Sequence, residues 1–411
     1  MEKKKVTIWN RNFICIMIAA SFMNLSHWAV NPLVSKYAQF LGAGPVLMGL
    51  LTGMFFAIAL AMRPVAGPAM TRLDHKMLLI ADYALGGVVN LGYALFHNIP
   101  VFMILRFFHG VQYSIMGSLC LVIAGDSLPY EKMASGMGVY GIGGSIMTAI
   151  GPSIGIWLQT LGTRLKGDGF GYSLDFLFAA AVLFIAVIPA SLMKTEKRSK
   201  AETASAGKWY QTIFTVSALP MTIIMMLLIV GYSTFNAYMV PYAEGRGIAN
   251  ISVFFTVMAL VMLAVRPISG KLTDTFGYRK IMIPAIVAFG ASFLFIGTAS
   301  NLTVILIGAV FAAIGYGSAQ PALMAMCMQS VPVLKRGVAS NTLYIGMDLG
   351  FFLGPLLGSV VYAVSDYPTM YLSMLAPVAV SLVLFIVLWP IYLKRTKEAY
   401  DVVRTGDAPM K

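Results

Sequence analysis

The sequence predicts an all-α integral membrane protein, with twelve transmembrane helices arranged as two pseudo-symmetric six-helix bundles. Three observations carry that prediction. Of the 411 residues, 59% are hydrophobic and only 11% charged, whereas soluble domains carry about a quarter charged residues. The apolar residues fall in long unbroken runs, and twelve helices of roughly 21 residues would use about 250 of them. Short motifs also recur at a fixed offset in the two halves of the chain. Continuous runs exclude a transmembrane β-barrel, whose strands alternate. The same composition excludes disorder, coiled coil and a secreted scaffold.

The first run starts near Asn12 and is too long for the core of a signal peptide. No small-residue cleavage site follows it, so it is read as a retained first helix, with Pro32 to Phe40 continuing as amphipathic helix or loop. Apolar runs at 12–36, 46–66, 77–96, 100–124, 134–160 and 174–193 make the first six-helix bundle, residues 1–193. The charged, Ser/Ala-containing stretch 194–208 reads as a cytoplasmic linker. Runs at 209–242, 251–270, 280–299, 302–330, 337–364 and 369–393 make the second bundle, residues 209–393, and 394–411 is a cytoplasmic tail. Cys15, Cys120 and Cys327 lie inside apolar runs, so they read as small buried hydrophobes rather than a disulfide framework.

The net charge of +13 could belong to a nucleic-acid binder, but its placement decides otherwise. With both termini cytoplasmic, 24 of the 29 Lys and Arg residues fall on the inner side, Arg63 and Arg266 among them. Only Lys36, Arg164, Lys166 and Arg246 fall outside, and Arg106 alone is left within a helix. This is the positive-inside asymmetry of a multi-pass protein. The expected setting is therefore the cell (plasma or inner) membrane, with the lipid bilayer as partner and no nucleic acid; a monomer is expected.

Arg63-Pro64-Val65-Ala66-Gly67 recurs as Arg266-Pro267-Ile268-Ser269-Gly270, and Gly151-Pro152-Ser153-Ile154-Gly155 as Gly354-Pro355-Leu356-Leu357-Gly358, both 203 residues on. Asn31 pairs with Asn236, and Tyr37-Ala38 with Tyr242-Ala243, 205 residues on. Two six-helix halves in one orientation form a parallel repeat.

These motifs give the chain a resemblance to the major facilitator superfamily along nearly its whole length. Gly270-Lys271-Leu272-Thr273-Asp274-Thr275-Phe276-Gly277-Tyr278-Arg279-Lys280, between helices 8 and 9, is similar to the family's cytoplasmic loop motif. Its glycines allow a tight turn, Asp274 suits a helix N-terminus, and Arg279 and Lys280 anchor the inner face. The copy between helices 2 and 3 keeps Gly67, Arg72 and Lys76, but Thr71 stands where the acid belongs and Asp74 where the second glycine belongs. Asp126 or Asp74 is the candidate for the missing charge. Arg106-Phe107-Phe108-His109-Gly110 resembles the family's intramembrane arginine motif. Gly151, Pro152 and Gly155, with Gly138, resemble part of the helix-5 motif of proton-driven exporters, although Met147 and Ile156 replace two of its glycines. Gly354, Pro355 and Gly358 repeat the feature on helix 11, where small residues let helices approach and slide. The sugar-uptake signature after helix 6 is missing, and the branch resembled is that of drug and metabolite exporters.

Ionisable side chains at bilayer depth are costly and are functional candidates by default. Arg106 either orients a proton acceptor or an anionic substrate, or is a structural hub. Asp348, about 16 Å along helix 11 at 1.5 Å per residue, either carries the proton or pairs structurally. Glu244 and Asp82 are further candidates for proton coupling, although Asp82, five residues into helix 3, reads as interfacial. Asn24, His27, Trp28 and Asn31 form one polar stripe on helix 1, which lipid would not tolerate. Helix 7 offers Tyr232 and Asn236 at the same spacing, helix 4 adds His109 and Tyr113, and helix 10 adds Tyr316 and Gln320. The resemblance implies that helices 1, 4, 7 and 10 line a central cavity; the alternative is interhelical hydrogen bonding.

The leading expectation is a proton-coupled secondary transporter that exports a small organic solute, drug or metabolite, by alternating access. The rival within transport is a proton-coupled uptake symporter for a small organic anion, with Arg106 as clamp. An integral-membrane enzyme is the remote alternative; it would need clustered catalytic groups, whereas the chain has four histidines and scattered acids. No catalytic residue, cofactor or metal is expected, and no phosphate-binding loop occurs.

Overall fold

Only a helix or a closed barrel satisfies every backbone group within the hydrocarbon, and each apolar run becomes a helix. The computed structural model describes residues 7–194 and 213–405. Among the described residues, twelve helices are long and apolar enough to cross a membrane. They are α1 (Arg11–Phe40), α2 (Pro45–Arg72), α3 (His75–Leu95), α4 (Ile99–Asp126), α5 (Met133–Lys166) and α6 (Asp168–Leu192). The second set is α7 (Leu219–Gly245), α8 (Ser252–Phe276), α9 (Tyr278–Gly297), α10 (Leu302–Gln329), α11 (Arg336–Val364) and α12 (Tyr367–Ala399). All but Lys194 of the expected linker lies outside the described residues, as do residues 406–411 of the expected tail.

Capping side chains set several helix starts. Asn10, Asp74, Asn98, Asn301 and Asp366 accept backbone N–H bonds three residues on, at 2.9 to 3.1 Å. Asn98 and Asn301 are repeat partners, 203 residues apart, and open α4 and α10 in the same way. The Thr369 bonds at the exposed start of α12 hold the Asp366 carboxyl below the usual carboxylate range. Pro32 breaks α1 into a 3₁₀ turn at Asn31–Leu33, after which Val34–Phe40 is helical. Helix 7 starts later than the apolar run suggests. Thr215 donates its N–H to Thr342 Oγ1 at 3.0 Å within a turned stretch, and the helix opens at Leu219 with Pro220 in its first turn.

The packing pattern repeats with the helices. In the first half α1 packs on α4 and α6, α2 on α4, and α3 on α4 and α6. In the second half α7 packs on α10 and α12, α8 on α10, and α9 on α10 and α12. The repeated tyrosines also do the same work. Tyr37 is fully buried and donates to the carbonyls of Tyr93 and Phe96, while Tyr242 is fully buried and donates to Ile296 O at 2.6 Å.

By packing, the chain divides into two compact units. Among the described residues, one comprises 9–127, 143–194 and 213–214; the other comprises 7–8, 128–142 and 215–405. The first part of α5 is thus packed with the second half of the sequence. The three cysteines are buried free thiols.

Candidate functional site

In the unit built from α1–α4, α6 and the rest of α5, the helix spacing brings an arginine and two histidines into an aromatic nest. His27 stacks on Phe55 and Tyr113 at ring separations of 5.4 and 5.1 Å, and Trp28 meets its edge. His109 Nδ1 bonds the Tyr93 hydroxyl at 3.2 Å. Arg106, 2% exposed, lies over the faces of Phe55 and Phe102 at 5.4 and 5.6 Å, with Tyr93 within its electrostatic reach. No carboxylate pairs with it among the described residues; the negative ring faces carry that role. The structure therefore groups Arg106, His27, His109, Trp28 and Tyr113. Asn24 does not join them, because its amide donates to Ala20 O of its own helix at 2.8 Å. The Asn31 backbone N–H closes α1 on His27 O, where the helix gives way to its 3₁₀ turn. Phe55, Tyr93 and Phe102 were not legible as site residues, since an aromatic side chain on an apolar helix reads as core filler.

Two acids are buried in the same unit. Asp82 is 4% exposed and accepts from Gln112 Nε2 at 2.9 Å through Oδ2, while Oδ1 has no partner. This corrects the expectation of an interfacial carboxylate: Asp82 lies two turns into α3, on the face that packs against α4. Asp175 is fully buried, and neither of its oxygens has a hydrogen-bond partner among the described residues. Asp175 is the second residue of the apolar run 174–193, where an acid reads as a boundary charge. The helix begins at Asp168, two turns earlier.

In the other unit, Tyr232 on α7 and Tyr316 on α10 stack at 4.1 Å and 14°. Asn236, one turn beyond Tyr232 on α7, is exposed. Gln320, one turn beyond Tyr316, accepts from Arg266 Nη2 at 2.7 Å, and Arg266 Nη1 donates to the Gly141 carbonyl of α5. Tyr232, Asn236, Tyr316 and Gln320 therefore share one neighbourhood. Asp348 is half-buried on α11. The Glu244 side chain lies outside the described residues.

Arg106 is not the only arginine inside a helix, as the charge count had it. Arg63 is fully buried in α2, donating to Ser114 O at 2.6 Å and Ser118 Oγ at 3.3 Å, and Arg266 is 8% exposed in α8. Both helices continue two to three turns beyond the arginine. The apolar runs fade three and four residues beyond them, at 66 and 270, so both arginines were counted with the inner-side charges.

The loop motif after α8 works through its backbone. Asp274 accepts the N–H groups of Ala134 and Ser135, at 3.1 and 3.0 Å, where α5 begins. A Cβ on Gly270 would stand 2.7 Å from Ala134 O, and Gly277 has φ +86°, a conformation that favours glycine. Arg279 and Lys280 are exposed. In the first-half copy, buried Thr71 turns back to Gly67 O at 2.8 Å, Asp74 caps α3, and Arg72 is exposed. Asp126 lies 3.9 Å from His75.

The glycine motifs are close-approach surfaces. Built Cβ atoms on Gly151 and Gly155 would meet Trp28 and the Ala29 backbone of α1. On Gly354 and Gly358 they would meet Ser233, Val230 and Tyr238 of α7. Tyr238 also donates to Pro355 O at 2.7 Å. Pro152, at the matching place on α5, is half-buried.

A twelve-span chain in two like halves, with buried arginines and polar clusters on its membrane helices, is the form of a membrane transporter. The chain belongs to the Major Facilitator Superfamily, whose sequence profile matches residues 16–265 and 245–405. It is 21% identical over 387 residues to Multidrug resistance protein 2 of Bacillus subtilis, covering 90% of this chain and 93% of that protein. It is 24% identical over 371 residues to the staphylopine export protein of Staphylococcus aureus, covering 84% of this chain and 87% of that one. The fold also matches the proton:xylose symporter XylE, with a TM-score of 0.72 at 12% identity over 93% of this chain and 95% of the other.

Proposed function

We propose that this transporter exports a small organic solute in exchange for protons, by alternating access, as a monomer in the cell (plasma or inner) membrane with both termini cytoplasmic. The observation that carries export is the seating of Gly151 and Gly155 of α5 directly on α1. This is the part of the exporter-like helix-5 motif that the sequence retains, and the export and multidrug relatives point the same way. Proton coupling is assigned to the buried polar groups. Arg106 supplies a fixed positive field beside His27 and His109, and Asp348 and Asp82 are the carboxyls that exchange protons. Glu244 is kept as a further candidate. Asp175 joins that set, because a buried carboxyl without a donor is satisfied by carrying a proton. Tyr232, Asn236, Tyr316 and Gln320 serve as substrate-facing residues in one unit, and Asn24, Trp28, Asn31 and Tyr113 in the other.

The test is transport in proteoliposomes under an imposed pH gradient, with a panel of organic solutes. Solute movement opposite to the proton gradient is expected. Movement with it would replace exchange by symport, and an undiminished rate after the gradient is collapsed would remove proton coupling. Tags at residue 200 and at the C-terminus should both be reached only from the cytoplasmic side.

A further inference from the structure

Arg266 lies ten residues before the end of α8, about 15 Å along the axis at 1.5 Å per residue, so its charge is deep in the span. A guanidinium has five N–H donors in a planar fork and remains charged in proteins. Here Nη1 meets the Gly141 carbonyl, Nη2 meets the Gln320 amide oxygen, and Nε is buried with no partner. Among the described residues no carboxylate approaches it, and no aromatic face lies under it as Phe55 and Phe102 lie under Arg106. The hydroxyl-bearing rings of Tyr232 and Tyr316 are within its electrostatic reach. A buried charge without a counter-charge is costly, and neutral dipoles recover only part of that cost. The arginine is therefore left with both a charge and a donor available to an anion.

We infer that Arg266 anchors the carboxylate of the transported solute, a small organic acid whose body packs on the Tyr232–Tyr316 pair. The inference rests on the transport reading above and adds the substrate class. The planar fork suits a carboxylate better than a spherical anion, because two N–H groups meet two oxygens at once. The stacked tyrosines offer an apolar, aromatic wall beside it, and Asn236 supplies an amide at the exposed edge of that wall. The same guanidinium also holds α5. Gly141 makes this possible, since a Cβ there would stand 2.6 Å from Nη1. A carboxylate is a stronger acceptor than a peptide carbonyl, so its arrival draws Arg266 away from Gly141. Solute binding thereby loosens one polar hold on the first part of α5, leaving the Asp274 bonds to Ala134 and Ser135 in place.

The experiment uses the full-length protein in proteoliposomes with matched trios of planar solutes. Benzoate, benzamide and benzamidine head the panel, followed by their phenylacetyl and naphthoyl counterparts, so that charge changes while shape is kept. Wild-type protein is expected to bind the carboxylates tighter than their amides by about tenfold or more, the scale of one charge-assisted hydrogen bond. Gln320→Glu, nearly isosteric, places a carboxylate against Nη2 and is expected to erase that preference, as is Arg266→Gln. Should Arg266→Gln fail to fold, the wild-type preference and Gln320→Glu decide. The absence of any carboxylate preference in wild type, or its survival in Gln320→Glu, overturns the inference. Transport of the amides or amidines with no such preference would remove the anchor and leave the transport reading standing. A carboxylate preference in binding, with no solute moved under either gradient, would keep the anchor and count against transport.

Discussion

Asp274 Oδ2 accepts the Ser135 N–H at 3.0 Å, joining residues 139 positions apart in the sequence. Its other oxygen takes the neighbouring Ala134 N–H. The first turn of α5 has free N–H groups and the positive end of a helix dipole, so one carboxylate satisfies two donors and a partial charge. Asp274→Ala should therefore destabilise the purified protein by about 1–2 kcal/mol, the scale of hydrogen bonds to a half-buried charge. Asp274→Asn, which keeps one acceptor, should lie between. Thermal unfolding in detergent measures this, and a cysteine placed at Ser135 should label faster in the Ala variant. Unchanged labelling would mean that α5 is held elsewhere.

The glycine motifs predict a graded series on one helix. A Cβ on Gly155 would collide with the Ala29 carbonyl, which cannot rotate away, so Gly155→Ala should cost about 1–3 kcal/mol as an overpacked contact. Gly144→Ala is the control, because its Cβ would stand 3.7 Å from Asn24 Nδ2, an ordinary contact. Expression level and thermal stability should fall for the first and hold for the second. Equal behaviour of the two would show that α1 and α5 are not closely seated at Ala29.

Much of this was legible because membrane helices leave few alternatives. Apolar runs gave the twelve spans, and the structure adds to the 203-residue repeat that Asn98 and Asn301 do one capping job and that α3–α6 packing reappears as α9–α12. The polar stripes of α1 and α4 did converge at His27, His109, Arg106 and Tyr113. Depth was read less well. Arg63 and Arg266 were counted with the inner-side charges because the apolar runs fade three and four residues beyond them, whereas the helices run on for two to three turns past each arginine. Asp175 was hidden by the same one-dimensional reading. The role of Phe55 has no sequence signature at all, since an aromatic ring beneath a cation and one in a lipid-facing cluster look alike until the helices are packed.

Asp348→Asn tests the coupling assignment on α11. The substitution keeps size and polarity and removes titration, so it separates protonation from packing. Solute binding should persist, while accumulation driven by a pH gradient should fall to the level seen without one. Fluorescence of a pH dye inside the vesicles should then show no proton movement coupled to solute. A variant that retains full gradient-driven transport would take Asp348 out of the mechanism and move attention to Asp82 and Asp175, the two buried acids of the other unit.

Arg106 and Arg266 should respond differently to the same chemical change. Arg106 lies over Phe55 and Phe102 beside Tyr93, so its surroundings are aromatic rings that accept a cation of either shape. Lysine at 106 keeps the positive field beside His27 and His109, and Arg106→Lys should retain a substantial fraction of proton-driven transport. Arg106→Gln removes the field and should reduce transport at least about tenfold, as expected for an intramembrane charge that sets a proton site. At 266 the fork itself spans the Gly141 carbonyl and the Gln320 amide, which lysine reproduces poorly. Arg266→Lys should therefore fall nearly as far as Arg266→Gln. Initial rates for the four variants in one proteoliposome preparation decide the matter. If Arg106→Lys is as inactive as Arg106→Gln and loses only the binding of organic anions, Arg106 is itself an anion clamp, and uptake of an organic acid with protons replaces export.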